Sequence, residues 1–307
     1  MASSWFYILG WFPSGFAILG NTMVVLLILF RTRLHIRPNW FVLSLAVSDF
    51  AVGLTCFPTI FLCGKLVLCE STWGYDIAVL AIYSSVTNLC AMTVDRYIAI
   101  IKPLRYVAWM TSRRAAILVV LGWSIPIALD FIPALCAALG KCDMEDKSLI
   151  LSKMILFEIL PCLFLLIATI QIIITARRCW RQNARLHAQL RFNQVSQRQP
   201  RYLSSARVII TVLVVFLTCY CVELYSVISF LVSSSNPRQE VVNVIVLLAV
   251  VNSSVNPIAY ALFKRDIRRE LKILCRPCAS RLARRDLKNA VQSHSVNQSQ
   301  NAGGIRI

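Results

Sequence analysis

The stretch Val241–Phe263, VVNVIVLLAVVNSSVNPIAYALF, decides the fold, because it is apolar enough to cross a bilayer yet carries a polar block. That block is Asn252-Ser253-Ser254-Val255-Asn256-Pro257, and Tyr260 follows one turn later. Inside a bilayer, side-chain amides and interrupted backbone need partners, because no water satisfies their hydrogen bonds. Such residues are tolerated where they face other helices or a wet cavity. The stretch therefore predicts one wall of a polar chamber inside a helical bundle.

The composition of the whole chain is that of a membrane protein. Its 307 residues are 58% hydrophobic and 15% charged, with a mean hydropathy of +0.67, whereas soluble domains are nearer half apolar and a quarter charged. About 20 apolar residues cross the hydrocarbon core. We expect an all-α membrane protein, a seven-transmembrane helix bundle within residues 1–275, and a disordered cytoplasmic tail at residues 276–307. The predicted spans are Trp5–Phe30, Trp40–Cys63, Trp73–Ile101, Ala115–Ala138, Leu149–Ala176, Val208–Val232 and Val241–Phe263.

The distribution of positive charge predicts the orientation. Placing the N-terminus outside leaves only five Lys and Arg on the outer side, so that 27 of the 32 are cytoplasmic; the five are Lys65, Lys141, Lys147, Lys153 and Arg238. Because positive charge stays inside, we expect a multi-pass protein of the plasma membrane with a cytoplasmic C-terminus. The net charge of +18 follows from this sidedness, so no nucleic-acid partner is expected. The basic loops could instead bind anionic membrane lipids, or they could only set the orientation of the chain in the membrane.

The first span has no charged n-region or cleavage site before it, which predicts an uncleaved signal anchor. Cys69 and Cys142 both lie on the oxidising outer side, which favours a Cys69–Cys142 disulfide, with Cys136 as a competing partner. Cys275 and Cys278 follow a basic stretch after the last span, which suggests palmitoylation; free thiols are an equal alternative.

The other walls of the chamber are predicted in the earlier spans. Asp49 lies near the middle of the second span, Ser85 in the third and Asn21 in the first. An ionisable group at that depth is costly and usually functional. A shared depth would bring together five oxygen-bearing side chains that suit Na⁺ or ordered water, namely Asp49, Ser85, Asn252, Ser253 and Asn256. The alternative is a hydrogen-bond network that only joins helices.

A second motif, Asp95-Arg96-Tyr97, ends the third span on its cytoplasmic side. With this motif and one landmark in each other span, the chain resembles a rhodopsin-like (class A) G protein-coupled receptor. The landmarks are Gly20-Asn21, Leu45-Ala46-Val47-Ser48-Asp49, Trp123, Pro161, Phe216-Leu217-Thr218-Cys219 and Asn256-Pro257-Ile258-Ala259-Tyr260. The alternation of apolar and basic residues after Phe263 resembles the family's short amphipathic helix 8, expected at residues 264–275.

The resemblance implies a mechanism. An extracellular ligand favours an outward position of helix six, and a heterotrimeric G protein, and in turn an arrestin and a receptor kinase, would bind the cytoplasmic cleft. The residues implied in this coupling are Asp95, Arg96, Tyr97, Pro103, Leu104, Pro257 and Tyr260. The five chamber residues match the family's allosteric sodium site, with Asp49 and Ser85 as metal ligands and no required cofactor. An opsin is excluded, because Val250 stands where a retinal-binding Lys would be.

The ligand pocket is predicted to contain unpaired acids. Amine receptors carry an Asp in helix three where, counted from Arg96, this chain has Ala78. The resemblance instead predicts a pocket formed by Asp76, Val79, Ile82, Glu158, Tyr220, Glu223 and Val246. The outer halves of the spans are expected to hold no Lys or Arg that could pair with Glu158 and Glu223. These acids are therefore either neutral or partners of a cationic ligand, a small amine or basic peptide. Asp130 has no assigned role.

Helix six departs from the family pattern, because Cys219-Tyr220-Cys221-Val222 lacks the usual Trp and the kinking Pro. Thr169 replaces a tyrosine that would meet Tyr260, and Tyr202 stands where some members have an acid. These changes allow a constitutively active or a non-signalling receptor as alternatives. An ion-coupled transporter would need inverted repeats or broken helices, which are not visible. With three His and no nucleophile or metal constellation, an enzyme is not expected.

Overall fold

The computed structural model describes residues 4–66, 73–140, 147–189, 210–222, 225, 228–229 and 239–274. These residues are almost entirely helical, and no strand occurs among them. The helices are α1 (Ser4–Leu9), α2 (Trp11–Phe30), α3 (Arg37–Leu66), α4 (Trp73–Ile101), α5 (Pro103–Trp109), α6 (Ser112–Pro126), α7 (Ile132–Ala138), α8 (Lys147–Met154), α9 (Leu160–Gln189), α10 (Ile210–Val222), α11 (Gln239–Phe263) and α12 (residues 265–274).

Six helical segments in the described ranges are long and apolar enough to cross a membrane. They are Trp11–Phe30, Arg37–Thr59, Gly74–Ile101, Ser112–Ala137, Leu151–Cys179 and Val241–Phe263. Helix α10 is a shorter apolar helix in the position of the sixth predicted span. Helix α3 packs against α2 and α4, and α11 packs against α2 and α3. Helix α4 also contacts α6 and α9, so it lies at the centre of the bundle.

The bundle exposes an apolar surface, and its largely apolar core also encloses a set of polar side chains. Large apolar side chains such as Phe12, Leu19 and Ile167 are exposed on its surface. The polar side chains of Asn21 and Asp49, by contrast, are fully buried. Apolar exteriors suit lipid, whereas buried polar groups must find partners within the bundle. Those partners define the site described below.

Proline residues account for the irregular turns within the spans. A proline has no backbone N–H and cannot bond the carbonyl four residues earlier. Pro13 follows the break between α1 and α2 at Gly10, so the predicted first span consists of two helices. Pro133 follows the π-turn Ile127–Phe131, and Pro161 follows the π-turn Ile155–Ile159. These π-turns interrupt helices four and five at the outer side of the bundle, and each contains one acidic residue.

Candidate functional site

A buried carboxylate, Asp49, lies at the centre of the polar chamber. One of its oxygens, Oδ1, accepts a hydrogen bond of 2.7 Å from Ser85 Oγ, and Oδ2 accepts one of 2.6 Å from Asn256 Nδ2. Ser253 lines the same small cavity as Ser85. The structure thus brings together residues from α3, α4 and α11, as the sequence analysis predicted. Bonds to an ionised acceptor are the strong ones, so Asp49 ties three helices at one depth.

Two amide oxygens of the chamber have no hydrogen-bond partner within the part of the chain that the structure describes. They are Oδ1 of Asn252 and Oδ1 of Asn256, and both are buried. Asn252, Ser253 and Ser85 also line a small cavity that Tyr220 and Ile82 border. A carboxylate together with neutral oxygens is the ligand set that hard cations prefer. No cluster of three or more His, Cys, Asp or Glu occurs in the described residues, so a cation here would depend on Asp49 alone for charge.

Helix α2 packs against α11, the helix that forms one wall of the chamber. The side-chain amide of Asn21 donates to the backbone carbonyl of Ser253 over 3.1 Å and to that of Ala17 over 2.8 Å. A Cβ added at Gly20 would lie 3.0 Å from the ring of Pro257, so only glycine lets α2 approach α11 this closely. The Gly20-Asn21 pair therefore holds α2 against the irregular part of α11.

A second polar network, which the sequence analysis missed, joins helices α3, α4 and α6. Trp123 Nε1 donates to Ser44 Oγ over 2.9 Å, and Ser44 Oγ donates to Asn88 Oδ1 over 2.6 Å. Thr87 Oγ1 also donates to the carbonyl of Gly122 over 2.5 Å. Trp123 was recognised only as a landmark, and its partners Ser44 and Asn88 are common residues whose contact no single sequence reveals.

The predicted ligand pocket lies on the outer side of the chamber. Ile82 and Val246 pack against one apolar cluster that includes Ala78 and Val250, and Val79 is half-buried beside them. Tyr220 is buried and stacks on Phe216 with ring centroids 4.0 Å apart. Tyr220, predicted as a pocket residue, also borders the cavity next to Ser85.

The acids of the pocket differ in their surroundings. Glu158 lies in the π-turn of helix five, and its Oε2 is buried without a hydrogen-bond partner among the residues described. Asp76 is half-buried at the outer end of α4, where its charge and that of Asp130 both act on Tyr75. Glu223 lies outside the described residues, so its predicted role stays a prediction. Glu158 is thus the described pocket acid with an oxygen available to a ligand.

The outer half of helix five does hold a buried cation, but its observed partner is Asp130 rather than Glu158. Lys153, in α8, forms an ion pair with Asp130, with 2.6 Å between Nζ and Oδ1. The side chains are 13% and 6% exposed. Lys153 was assigned to the outer surface because hydropathy averages over a window and hides one charged residue. Opposite charges at the outer ends of helices four and five were the signal that could have revealed the pair.

In the cytoplasmic motif Asp95-Arg96-Tyr97, the side chain of Arg96 is held by the neighbouring Asp95. Arg96 lies 2.7 Å from the carboxylate of Asp95, and Tyr106 of α5 donates to the other oxygen over 2.8 Å. Burial and the neighbouring Asp95 raise the pKa of Tyr106, so its hydroxyl stays a neutral donor. Tyr97 hydrogen-bonds Gln171 of α9. Pro103 begins α5, and Leu104 is 96% exposed beside it.

Tyr260 already points into the bundle. Its side chain is fully buried, and its hydroxyl donates to Met92 Sδ of α4 over 3.8 Å. The resemblance implied that Tyr260 would turn inward on activation and meet a tyrosine of helix five. Thr169 stands at that place, and its hydroxyl instead donates to its own helix at Leu165. A weak sulfur acceptor therefore replaces the missing hydroxyl.

Two further charged residues flank the cytoplasmic cleft, and both escaped the sequence analysis. Burial, and secondarily Arg96, lowers the pKa of Lys264 to about 7. Glu270 of α12 is buried, with its carboxylate 3.8 Å from Arg31 and 3.9 Å from Arg33. Glu270 thus anchors α12 to the end of α2 and the turn that follows it. An acid within a strongly basic stretch was the signal for this contact.

The structure records Cys136 as disulfide-bonded. Cys136 was predicted only as a competing partner, so it is the cysteine of this outer region whose pairing is observed. Cys69 and Cys142 lie outside the described residues, and the Cys69–Cys142 disulfide stays a prediction. Cys275 and Cys278 also lie outside them, so palmitoylation is a prediction too.

Comparison with known proteins agrees with this arrangement. The sequence profile described as 7 transmembrane receptor (rhodopsin family) matches residues 20–260. Octopamine receptor beta-1R of Drosophila melanogaster is 29% identical over 83% of this chain and 58% of its own length. Octopamine receptor beta-2R of Chilo suppressalis is 25% identical over 86% of this chain and 78% of its own length. Trace amine-associated receptor 7a of Mus musculus is 25% identical over 86% of this chain and 80% of its own length. The chain thus spans little more than half of the first of these relatives.

Proposed function

Because the chain belongs to the rhodopsin family of seven-transmembrane receptors, we propose that it is a G protein-coupled receptor for a small amine. Its relatives include receptors named for octopamine and for trace amines. The observation that carries amine binding is Glu158, a half-buried acid whose Oε2 is buried and bonded by no described residue. A ligand ammonium supplies the missing partner, because a buried charge must be paired or neutralised.

The proposed amine site differs from the usual one in its acid. Ala78, buried at 7% exposure, cannot hold an ammonium, so a carboxyl on another helix must do so. Glu158 approaches the pocket from helix five, Glu223 is its proposed counterpart on helix six, and Asp76 lies at the rim. Tyr220 forms the aromatic surface beneath the ligand. A basic peptide end would present the same ammonium chemistry.

We propose that the G protein binds the cytoplasmic side of the receptor through contacts with Arg96 and α5. A G protein that enters the cleft competes with Asp95 for Arg96, while exposed Leu104 offers it an apolar contact. A ligand shifts the receptor towards that state only by its preference for it. Arrestin and a receptor kinase would use the same cleft, and the basic residues of α12 would bind anionic lipid of the plasma membrane. In this proposal the C-terminus is cytoplasmic and the N-terminus lies outside.

Sodium is proposed as an allosteric ion of the chamber. Asp49, Ser85 and Ser253 would hold it, and the free oxygens of Asn252 and Asn256 support the assignment. The ion would supply positive charge beside Asp49 and stabilise the helix arrangement in which the chamber is widest. It is not required for folding in this proposal, because Asp49 already has two donors.

Constitutive activity is a second candidate property, and Tyr260 favours it. The inward position of Tyr260 against Met92 needs no ligand, and α10 contains no proline among Ile210–Val222. A receptor whose switch residue rests inside the bundle would signal without agonist. Tyr260→Phe tests this, since it removes the bond to Met92 with little change in shape; unchanged basal signalling would argue against the idea.

The experiment for the proposed function is expression of the chain with a panel of G protein activation sensors. Octopamine, tyramine and dopamine are compared with 4-ethylphenol, which keeps the ring and lacks the amine. We expect a concentration-dependent response to at least one amine and none to 4-ethylphenol. Silence to every amine, with normal surface delivery measured by an epitope tag, would refute amine activation.

A further inference from the structure

The ion pair between Lys153 and Asp130 has no role in the function described so far. Both side chains are almost fully buried within membrane-spanning helices. Charges in that environment are costly, and they are tolerated mainly as pairs or at functional sites. A pair that served packing alone could be replaced by apolar residues without loss. The place of Lys153 on the same helix as Glu158, the acid assigned to the ligand above, therefore calls for a functional explanation.

Lys153, one partner of the ion pair, lies on the same helix as Glu158 and nearer to its outer end. Lys153 precedes Glu158 by five residues, about 7.5 Å along a helix at 1.5 Å per residue. The π-turn Ile155–Ile159 begins between them and contains Glu158, and its i→i+5 hydrogen bonds widen the helix there. Asp130 lies in the π-turn of helix four. Lys153 thus contacts Asp130 across the two helices and precedes Glu158 on its own helix.

The charges of this group do not balance. Asp130 and Glu158 carry two carboxyls, while Lys153 supplies one ammonium, and it bonds Asp130 through Oδ1. Oδ2 of Asp130 and Oε2 of Glu158 are both buried without a hydrogen-bond partner in the described ranges. Asp130 therefore has a cation partner in the protein, whereas no described Lys or Arg forms an ion pair with Glu158.

We propose that Lys153 is a built-in second ammonium, which occupies Asp130 and so restricts the receptor to ligands with one positive charge. Without Lys153, Asp130 and Glu158 would form two cation sites at a fixed separation, and a diamine would bridge them. The assignment of Glu158 to the ligand rests on the proposed amine function. The occupation of Asp130 by Lys153 does not, so the two ideas can fail separately.

The test uses Lys153→Met and Lys153→Gln in the full chain, with octopamine and the alkyl diamines 1,4-diaminobutane and 1,5-diaminopentane as probes. Receptor activation is measured in cells, and thermal unfolding of the purified receptor is measured with each probe. We expect both variants to gain at least tenfold in diamine potency or to gain a diamine-dependent thermal shift that the wild type lacks. The double variant Lys153→Met/Asp130→Asn should lose this gain, because the second acid is removed.

The thermal measurement needs no signalling and accepts protein from internal membranes, so poor surface delivery does not block it. A folded Lys153→Met receptor that ignores every diamine would overturn the proposal, as would a gain that survives Asp130→Asn. Failure of the wild type to respond to octopamine would instead refute the amine function and leave the diamine result to be judged alone. Lys153→Arg keeps the charge and should behave as the wild type.

Discussion

Replacing Asp49 by Asn separates its two proposed roles, hydrogen bonding and ion binding. Asp49 accepts from Ser85 and from Asn256 at 2.7 and 2.6 Å. Asparagine keeps one acceptor for Ser85. The amide of Asn256 can turn, so that its Oδ1, which has no partner among the described residues, accepts from the new side chain. The network survives and the charge is lost. Asp49→Ala, in contrast, removes both acceptors and leaves both donors buried.

The two substitutions should therefore differ in stability. An unsatisfied buried donor costs about 1–3 kcal/mol, so Asp49→Ala should lose roughly 2–6 kcal/mol, and Asp49→Asn much less. Sodium adds a separate effect, because an ion that binds only the folded state stabilises it by about 1.4 kcal/mol at ten times its Kd. At roughly 2–4 °C per kcal/mol for a chain of 150–250 residues, that amounts to a shift of a few degrees in Tm.

The assay is thermal unfolding of the purified receptor in NaCl and in equimolar choline chloride, and it requires no ligand. The wild type should unfold at a higher temperature in NaCl, and Asp49→Asn should show no difference between the salts. A sodium dependence that persists in Asp49→Asn would locate the ion elsewhere. If the wild type is indifferent to sodium, the chamber is only a network that joins helices.

Three further predictions concern the contacts around the two sites. Gly122→Ala should cost about 1–3 kcal/mol, because the added Cβ would lie 2.9 Å from Asn88 Oδ1; Gly15→Ala, where no atom lies within 4 Å, is the matched control in thermal unfolding and should not destabilise. Glu270→Gln should speed hydrogen exchange of α12 and change the global free energy of unfolding by less than about 1 kcal/mol; unchanged exchange would show that Glu270 does not anchor α12. Lys264 has a folded pKa of about 7, below its usual 10.5, so the folded state binds fewer protons than the unfolded state in that window and gains stability as pH rises through it. Lys264→Met should therefore raise Tm more at pH 6 than at pH 9, and an equal gain at both would contradict the pKa shift.

The helices and the chamber were predictable because strong constraints act on single residues. A bilayer requires long apolar segments, and only helices satisfy their backbone there without neighbours. The same constraint makes Asp49 and the polar block of Val241–Phe263 conspicuous, and the structure joins them directly. The break at Gly10 was not predicted, because hydropathy does not register the hydrogen bond that Pro13 cannot make.

Pairs across helices were much harder to predict. Ser44 gives no signal by itself, and its bond to Trp123 depends on how three helices pack. Lys153 and Asp130 each interrupt an apolar span only slightly, so neither suggested the other before the packing was known. The sequence analysis assigned no role to Asp130 for this reason. Contacts between residues far apart in sequence follow from tertiary packing, which one sequence does not encode as a local pattern.

The most direct test of amine recognition is the potency of octopamine on Glu158→Gln, measured with the G protein sensor that responds best in the wild type. Glutamine keeps the shape of the side chain and removes its charge. We expect at least a tenfold loss of potency, about 1.4 kcal/mol of binding free energy, with Glu223→Gln tested beside it as the counterpart on helix six. Unchanged octopamine potency in both variants would contradict the claim that buried carboxyls of helices five and six hold the ammonium.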